Sequence, residues 1–106
     1  MDETEFAALA EQALGRIEAS LEESGVDADV ELKPGGVIEI EYADGSRMVI
    51  NRHAAAREIW VAARAGGFHF RWDGSAWRDT REGSELFEAL SRLVSAQSGQ
   101  SVQLRA

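Results

Sequence analysis

Six carboxylates fall within the segment EASLEESGVDADVE: Glu18, Glu22, Glu23, Asp27, Asp29 and Glu31. No lysine or arginine interrupts them, and Glu11 lies upstream on the same predicted helix. Carboxylates crowded in this way repel one another, so the segment favours a positive occupant. Three occupants suit it: a metal ion, a basic protein surface, or only water with its counterions. Carboxylate oxygens are hard ligands, matched to ferric iron, manganese, calcium or magnesium, and nothing in these residues selects among those ions. Ligands on an exposed helix and strand edge cannot enclose an ion. Most of its coordination shell would be water, and binding would be weak and exchangeable.

Other chemistries find less support. The chain has no cysteine, which removes thiolate catalysis, cysteine-type zinc sites and cysteine-ligated clusters. No phosphate-binding loop and no evident acid–base pair stands out, so an enzyme is not expected. His53, expected in a loop, and His69, expected on the solvent side of a strand, are auxiliary ligand candidates at most and are read as surface residues. The formal charge is −8. It is divided unevenly: residues 1–44 carry 13 acids against Arg16 and Lys33, and residues 45–106 carry 6 acids against 9 arginines. Such a bipolar molecule is steered toward basic protein surfaces, and its acidity disfavours nucleic acid as a partner. The N-terminus MDETEFAALAEQ has no basic segment followed by an apolar run, so the expected location is the cytoplasm, without membrane contact.

The elements that position these residues follow from periodicity. Phe6, Leu9, Ala10, Ala13, Leu14, Ile17 and Leu21 recur at helical spacing, which predicts a helix over 3–23, capped by Asp2 or Thr4 and ended at Gly25. Glu11, Glu18 and Glu22 form one stripe on it, and Glu22 and Glu23 sit at its C-terminal end, where the helix dipole opposes negative charge. Beyond Gly25 the period changes to two. Val30 and Leu32, then Val37–Tyr42, then Met48 and Ile50 predict three strands, with turns at Pro34-Gly35-Gly36 and Ala43-Asp44-Gly45-Ser46. Residues 57–64 alternate again, with Ile59, Val61 and Ala63 on one side and Glu58, Trp60, Ala62 and Arg64 on the other. Phe68–Trp72 and a short strand at Trp77 follow, with Phe68, Phe70, Trp72 and Trp77 expected in or beside the core. A second helix is predicted from about Ser84 to Gln97. The whole chain, 1–106, reads as one domain: an α+β, two-layer α/β sandwich, with two terminal helices packed on one face of a mostly antiparallel five- to six-stranded sheet.

The other sheet face is left to solvent. Trp60 falls on it with Arg64, joined by Arg47, Val49 and Asn51 from the neighbouring strand. A tryptophan among arginines is the composition of an interaction hot spot; the alternative is an indole lying flat over its neighbours' aliphatic stems.

Several stretches together resemble the bacterial branch of the frataxin family. They are the acidic first helix running into the first strand, Pro34-Gly35-Gly36-Val37, Ile50-Asn51-Arg52, Ile59-Trp60-Val61-Ala62, and Gly66-Gly67-Phe68-His69-Phe70 followed by Trp77. The resemblance covers nearly the whole chain, although His53-Ala54-Ala55 stands where glutamine and proline are usual. It implies a helix–strands–helix sandwich and an iron-binding protein of iron–sulfur cluster assembly, acting as regulator or iron chaperone. It implies that the ridge of Glu18, Glu22, Glu23, Asp27, Asp29 and Glu31 binds Fe2+ and Fe3+ weakly and docks to the cysteine desulfurase. It further implies that Asn51, Arg52 and Trp60 bind partners within the scaffold machinery, and that the chain is a monomer able to oligomerise with iron. The competing expectation is a metal-independent protein-interaction module that uses the ridge and the Trp60 face.

Overall fold

The computed structural model describes residues 1–106. Helix α1 (Glu3–Ser24) leads into strands β1 (Ala28–Lys33), β2 (Val37–Tyr42), β3 (Arg47–His53), β4 (Glu58–Ala63), β5 (Gly66–Trp72) and β6 (Trp77–Asp79), and helix α2 (Leu86–Ser98) follows. The strands form one six-stranded sheet in sequence order, every neighbouring pair antiparallel. Short turns between neighbours leave no other arrangement.

Helix α1 starts where the Asp2 carboxylate accepts the Glu5 backbone N–H at 2.8 Å, and stops at Gly25, whose φ of 70° is left-handed. Its apolar stripe of Phe6, Ala10, Ala13, Leu14, Ile17 and Leu21 is buried. The sheet answers with Ile38, Ile40, Met48, Ile50, Ile59 and Phe70, all essentially without solvent contact. Leu86, Phe87, Leu90 and Val94 of α2 complete the single core. Phe70 and Trp77 are buried in it, with Phe68 and Trp72 packed against its edge, as the alternation predicts.

Two tertiary ties complete the fold; the alternation of Val102 and Leu104 predicts that the tail packs back on the core, whereas the Gln97 bonds and the serine bonds to the tail were not predicted. The buried Gln97 accepts the Arg64 backbone N–H at 3.1 Å and donates to the Arg47 carbonyl at 3.0 Å, pinning α2 to the neighbouring ends of β3 and β4. The tail beyond Gly99 buries Val102 and Leu104 and is held by serines of both helices. The N–H groups of Val102, Leu104 and Arg105 donate to Ser95, Ser91 and Ser20 at 2.9, 2.8 and 2.8 Å.

Cover by the helices is incomplete at one edge. Val30 and Leu32 of β1 have helix-side parity, opposite the buried Ile40 and Ile38, yet they are 37% and 57% exposed. Only Met1 is a comparably exposed large hydrophobic residue. Four expectations are corrected. His53 is the last residue of β3, not part of a loop, and β4 begins at Glu58, not Arg57. Arg64 lies past the end of β4, where its guanidinium pairs with Asp44 and leaves the Trp60 face. Helix α2 begins at Leu86, because Glu85 acts as its cap, accepting the Phe87 and Glu88 N–H groups.

At the Pro34-Gly35-Gly36 turn, Gly36 takes a φ of 78° and lies under the Arg52 side chain. A β-carbon there would sit 2.6 Å from Arg52 Nε and 2.8 Å from its Cγ. Gly36→Ala should therefore destabilise the fold by about 1–2 kcal/mol from the left-handed backbone alone, while displacing Arg52. Urea unfolding checks the loss; an unchanged midpoint would contradict it.

Candidate functional site

The acidic segment does not form one ridge but three separate groups. Glu11, Glu18 and Glu22 line one flank of α1, with Glu18 half-buried beside β1. Glu23 lies about 100° further round the helix, where its carboxylate accepts the Arg16 guanidinium at 3.1 Å, and Arg16 Nε also donates to the Arg105 carbonyl. Glu23 is thus turned toward the C-terminal tail and paired there. The spacing of Arg16 and Glu23, two helical turns, was the signal that could have found this pair.

Asp29 and Glu31 point from β1 to the open sheet face, away from α1, because they have the opposite parity to Val30 and Leu32. There they meet carboxylates absent from the predicted set. Asp29 is paired across the strands with Glu41, and Glu31 with Glu39. Like charges directly opposite one another are destabilising. Basic neighbours reduce the repulsion: Lys33 reaches Glu31 at 3.5 Å and Glu39 at 3.8 Å, and Arg47 reaches Glu41 at 3.5 Å. Asp27, exposed at the entry to β1, has its backbone N–H tied to Gln100 Oε1 at 2.7 Å. Alternation in VIEIEY already placed Glu39 and Glu41 on one side; only their register with β1 was missing. No three histidine, aspartate or glutamate side chains converge as a ready-made metal cage.

The second site is the Trp60 face. Asn51 is the cross-strand partner of Trp60 on β3, and His69 its partner on β5. The indole lies between two imidazoles, with His53 at 3.8 Å and 12° on one side and His69 at 4.5 Å and 10° on the other. The ordered stack fixes an otherwise exposed tryptophan in one orientation, which lowers the entropy lost when a partner covers it. Beneath it lies Glu58, buried although it faces the open side. Its carboxylate accepts Trp60 Nε1–H at 2.8 Å and the Arg71 guanidinium at 2.7 Å, with His69 Nδ1 at 3.5 Å. Burial pushes the Glu58 carboxyl up, but the hydrogen bonds from Trp60 and Arg71 and the nearby positive charge outweigh it. The net shift is below the usual glutamate value. The arginine bound into the Trp60 cluster is therefore Arg71, since Arg47 reaches Glu41 and Arg64 is held by Asp44. That carboxyl lies well below the ordinary range through the Ser46 hydroxyl and the Arg64 guanidinium.

Arg52 does not belong to this face. It is the cross-strand partner of the buried Ile59, one residue out of phase with Asn51, so it points to the helix side. Its side chain crosses Gly36 and lines a cleft of about 340 Å³ with Glu11, Glu18, Lys33 and Leu32. The three residues expected to bind partners thus divide, Asn51 and Trp60 on one face and Arg52 on the other.

The fold has close counterparts. A frataxin-like domain profile matches residues 1–100. The iron-sulfur cluster assembly protein CyaY of Dechloromonas aromatica is 64% identical over 99% of this chain and 100% of its own length. The chain belongs to the frataxin family. The protein of the same name from Cupriavidus metallidurans is 50% identical over 99% of this chain and 97% of its own. Among solved structures, frataxin from Psychromonas ingrahamii superposes with a TM-score of 0.90 at 30% identity, covering both chains fully. Trimeric yeast frataxin complexed with ferrous iron gives a TM-score of 0.72 at 29% identity over 86% of each chain. Membership accounts for the two-layer sandwich predicted from periodicity. No helix is long and apolar enough to cross a membrane.

Glu58 supplies the prediction here. Glu58→Ala should destabilise the domain by about 1–3 kcal/mol, since it strands the indole N–H and the Arg71 charge. A carboxyl whose value is lowered on folding contributes stability that is present above its unfolded value, about 4.3, and is lost as the pH falls below that. Urea unfolding across this acid range should show the loss in the native protein and a shallower loss in Glu58→Gln; equal pH dependence would remove Glu58 from the account.

Proposed function

We propose that this chain serves iron–sulfur cluster assembly as a non-catalytic, iron-responsive protein of the cytoplasm, taking ferrous or ferric iron as cargo on its acidic edge and docking there to the cysteine desulfurase. The reading is supported chiefly by the acid-against-acid pairs Asp29–Glu41 and Glu31–Glu39 on the open face of the edge strand, with Glu18 and Glu22 on its helix side, in a member of the frataxin family. A sheet that retains like charges in direct register relinquishes stability in each pair, by roughly 0.2–1 kcal/mol. A cation bound there would recover it. Each pair offers two carboxylates, so water completes the shell, which suits exchangeable cargo and a monomer that iron can bring together with other copies.

The same edge attracts a basic protein surface, and iron bound to it would weaken that attraction. Iron loading and desulfurase docking thereby compete through charge, which gives a route to regulation in response to iron. The His53–Trp60–His69 stack favours a second contact that needs no metal, in which Trp60 and Asn51 meet the scaffold machinery.

Anaerobic titration of the labelled protein with ferrous iron, followed residue by residue by NMR, tests the reading. Broadening is expected at Glu18, Glu22, Asp27, Asp29, Glu31, Glu39 and Glu41, and not at Glu23, and excess magnesium should not abolish it. Broadening scattered over all carboxylates, or fully displaced by magnesium, would leave only a docking surface. In binding assays, Asp29→Lys with Glu31→Lys should weaken desulfurase binding about tenfold at low ionic strength, less as salt rises. Trp60→Ala should weaken scaffold binding equally with and without iron.

A further inference from the structure

Strand β1 ends the sheet and has a neighbour on one side only, so every second backbone N–H and C=O along it faces outward. Its two faces are chemically opposite. Toward the helices it presents Val30 and Leu32, 37% and 57% exposed; toward the open face it presents Asp29 and Glu31. Charged residues on an edge are a common guard against unwanted strand pairing. The exposed apolar pair is not explained by such a guard.

The apolar side of the edge continues into hollows under α1. One of about 400 Å³ is lined by Leu21, Val26, Ala28 and Val30, with Glu18 and Glu22 at its rim. Past Glu18, Leu14 and Leu32 line the cleft that Arg52 borders. A strand laid beside β1 would set alternate side chains over these hollows and the others beside Asp29 and Glu31.

We infer that the β1 edge is a strand-addition site for an extended partner segment in which apolar and basic residues alternate. Backbone hydrogen bonds hold such a segment, apolar side chains enter beside Val30 and Leu32, and lysine or arginine side chains reach Asp29 and Glu31. Charge decides against a second copy of this chain: antiparallel self-pairing centred on Val30 sets Asp29 of each copy against Glu31 of the other. The inference does not depend on iron or on which protein carries the segment.

A blocked synthetic peptide of alternating lysine and valine, matched to the six residues of β1, tests it by calorimetry and amide hydrogen exchange in the presence of EDTA. The peptide should bind, and amides within residues 28–33 should gain protection. Leu32→Thr, which keeps a strand-forming residue at an exposed position, should weaken binding about tenfold. A peptide of the same composition with lysines and valines in separate blocks, or one N-methylated at alternate residues, should fail to protect β1. Equal binding of either control, or binding without protection, would overturn strand addition in favour of plain charge attraction. Protection that depends on protein concentration without peptide would assign the edge to self-association instead. Because EDTA removes metal, failure here leaves the iron titration unaffected, and failure there leaves strand addition standing.

Discussion

Both helices lie on one face of a six-stranded antiparallel sheet, and that one-sided burial governs everything else. Side chains alternate along each strand, so every strand must sort its residues into a set for the core and a set for water. Ile38, Ile40, Met48, Ile50, Ile59, Val61 and Phe70 leave water together. In doing so they oblige Glu39, Glu41, Asn51, Trp60, His69 and Arg71 to stand on the far side. The open face is a by-product of core formation, and its chemistry is whatever the sequence places at the other parity.

That face carries two opposed solutions to the placing of charge. Around Trp60 the buried carboxylate is satisfied: Glu58 receives the indole N–H and Arg71. Around β1 the carboxylates face one another, relieved only by exposed ion pairs of little energy. A satisfied polar cluster holds a shape, whereas an unsatisfied one holds affinity in reserve for something that arrives later. The two lie on one surface at different strands.

The sequence made the elements legible because each has its own period, 3.6 in α1 and 2 in the strands, punctuated by Gly25 and the glycine turns. The acidic edge was legible as composition but not as geometry. Glu23 follows Glu22 in the chain, yet one residue on a helix is a 100° turn, enough to give it to Arg16. Asn51 and Arg52 are adjacent in the chain and face opposite sides for the matching reason in a strand; the parity of Met48 and Ile50 was sufficient to show it. The histidine stack was hidden because it joins β3, β4 and β5 across two hairpins whose register the sequence does not state. Gln97, which binds the chain near Arg47 and Arg64, lies beyond any local pattern.

The serine-held tail has a consequence for the order in which the molecule is made. Helix α1 ends up bonded to a residue far along the chain: Ser20 accepts the Arg105 N–H across 85 positions, and Arg16 donates to the Arg105 carbonyl across 89. Until Val102 and Leu104 have emerged, α1 and α2 share a groove with nothing in it. The sheet, whose neighbours are consecutive, can assemble while synthesis proceeds. The clamp across the helices cannot. A nascent chain therefore displays its acidic edge before its helical layer is locked, and the closing act of folding waits for the tail to emerge.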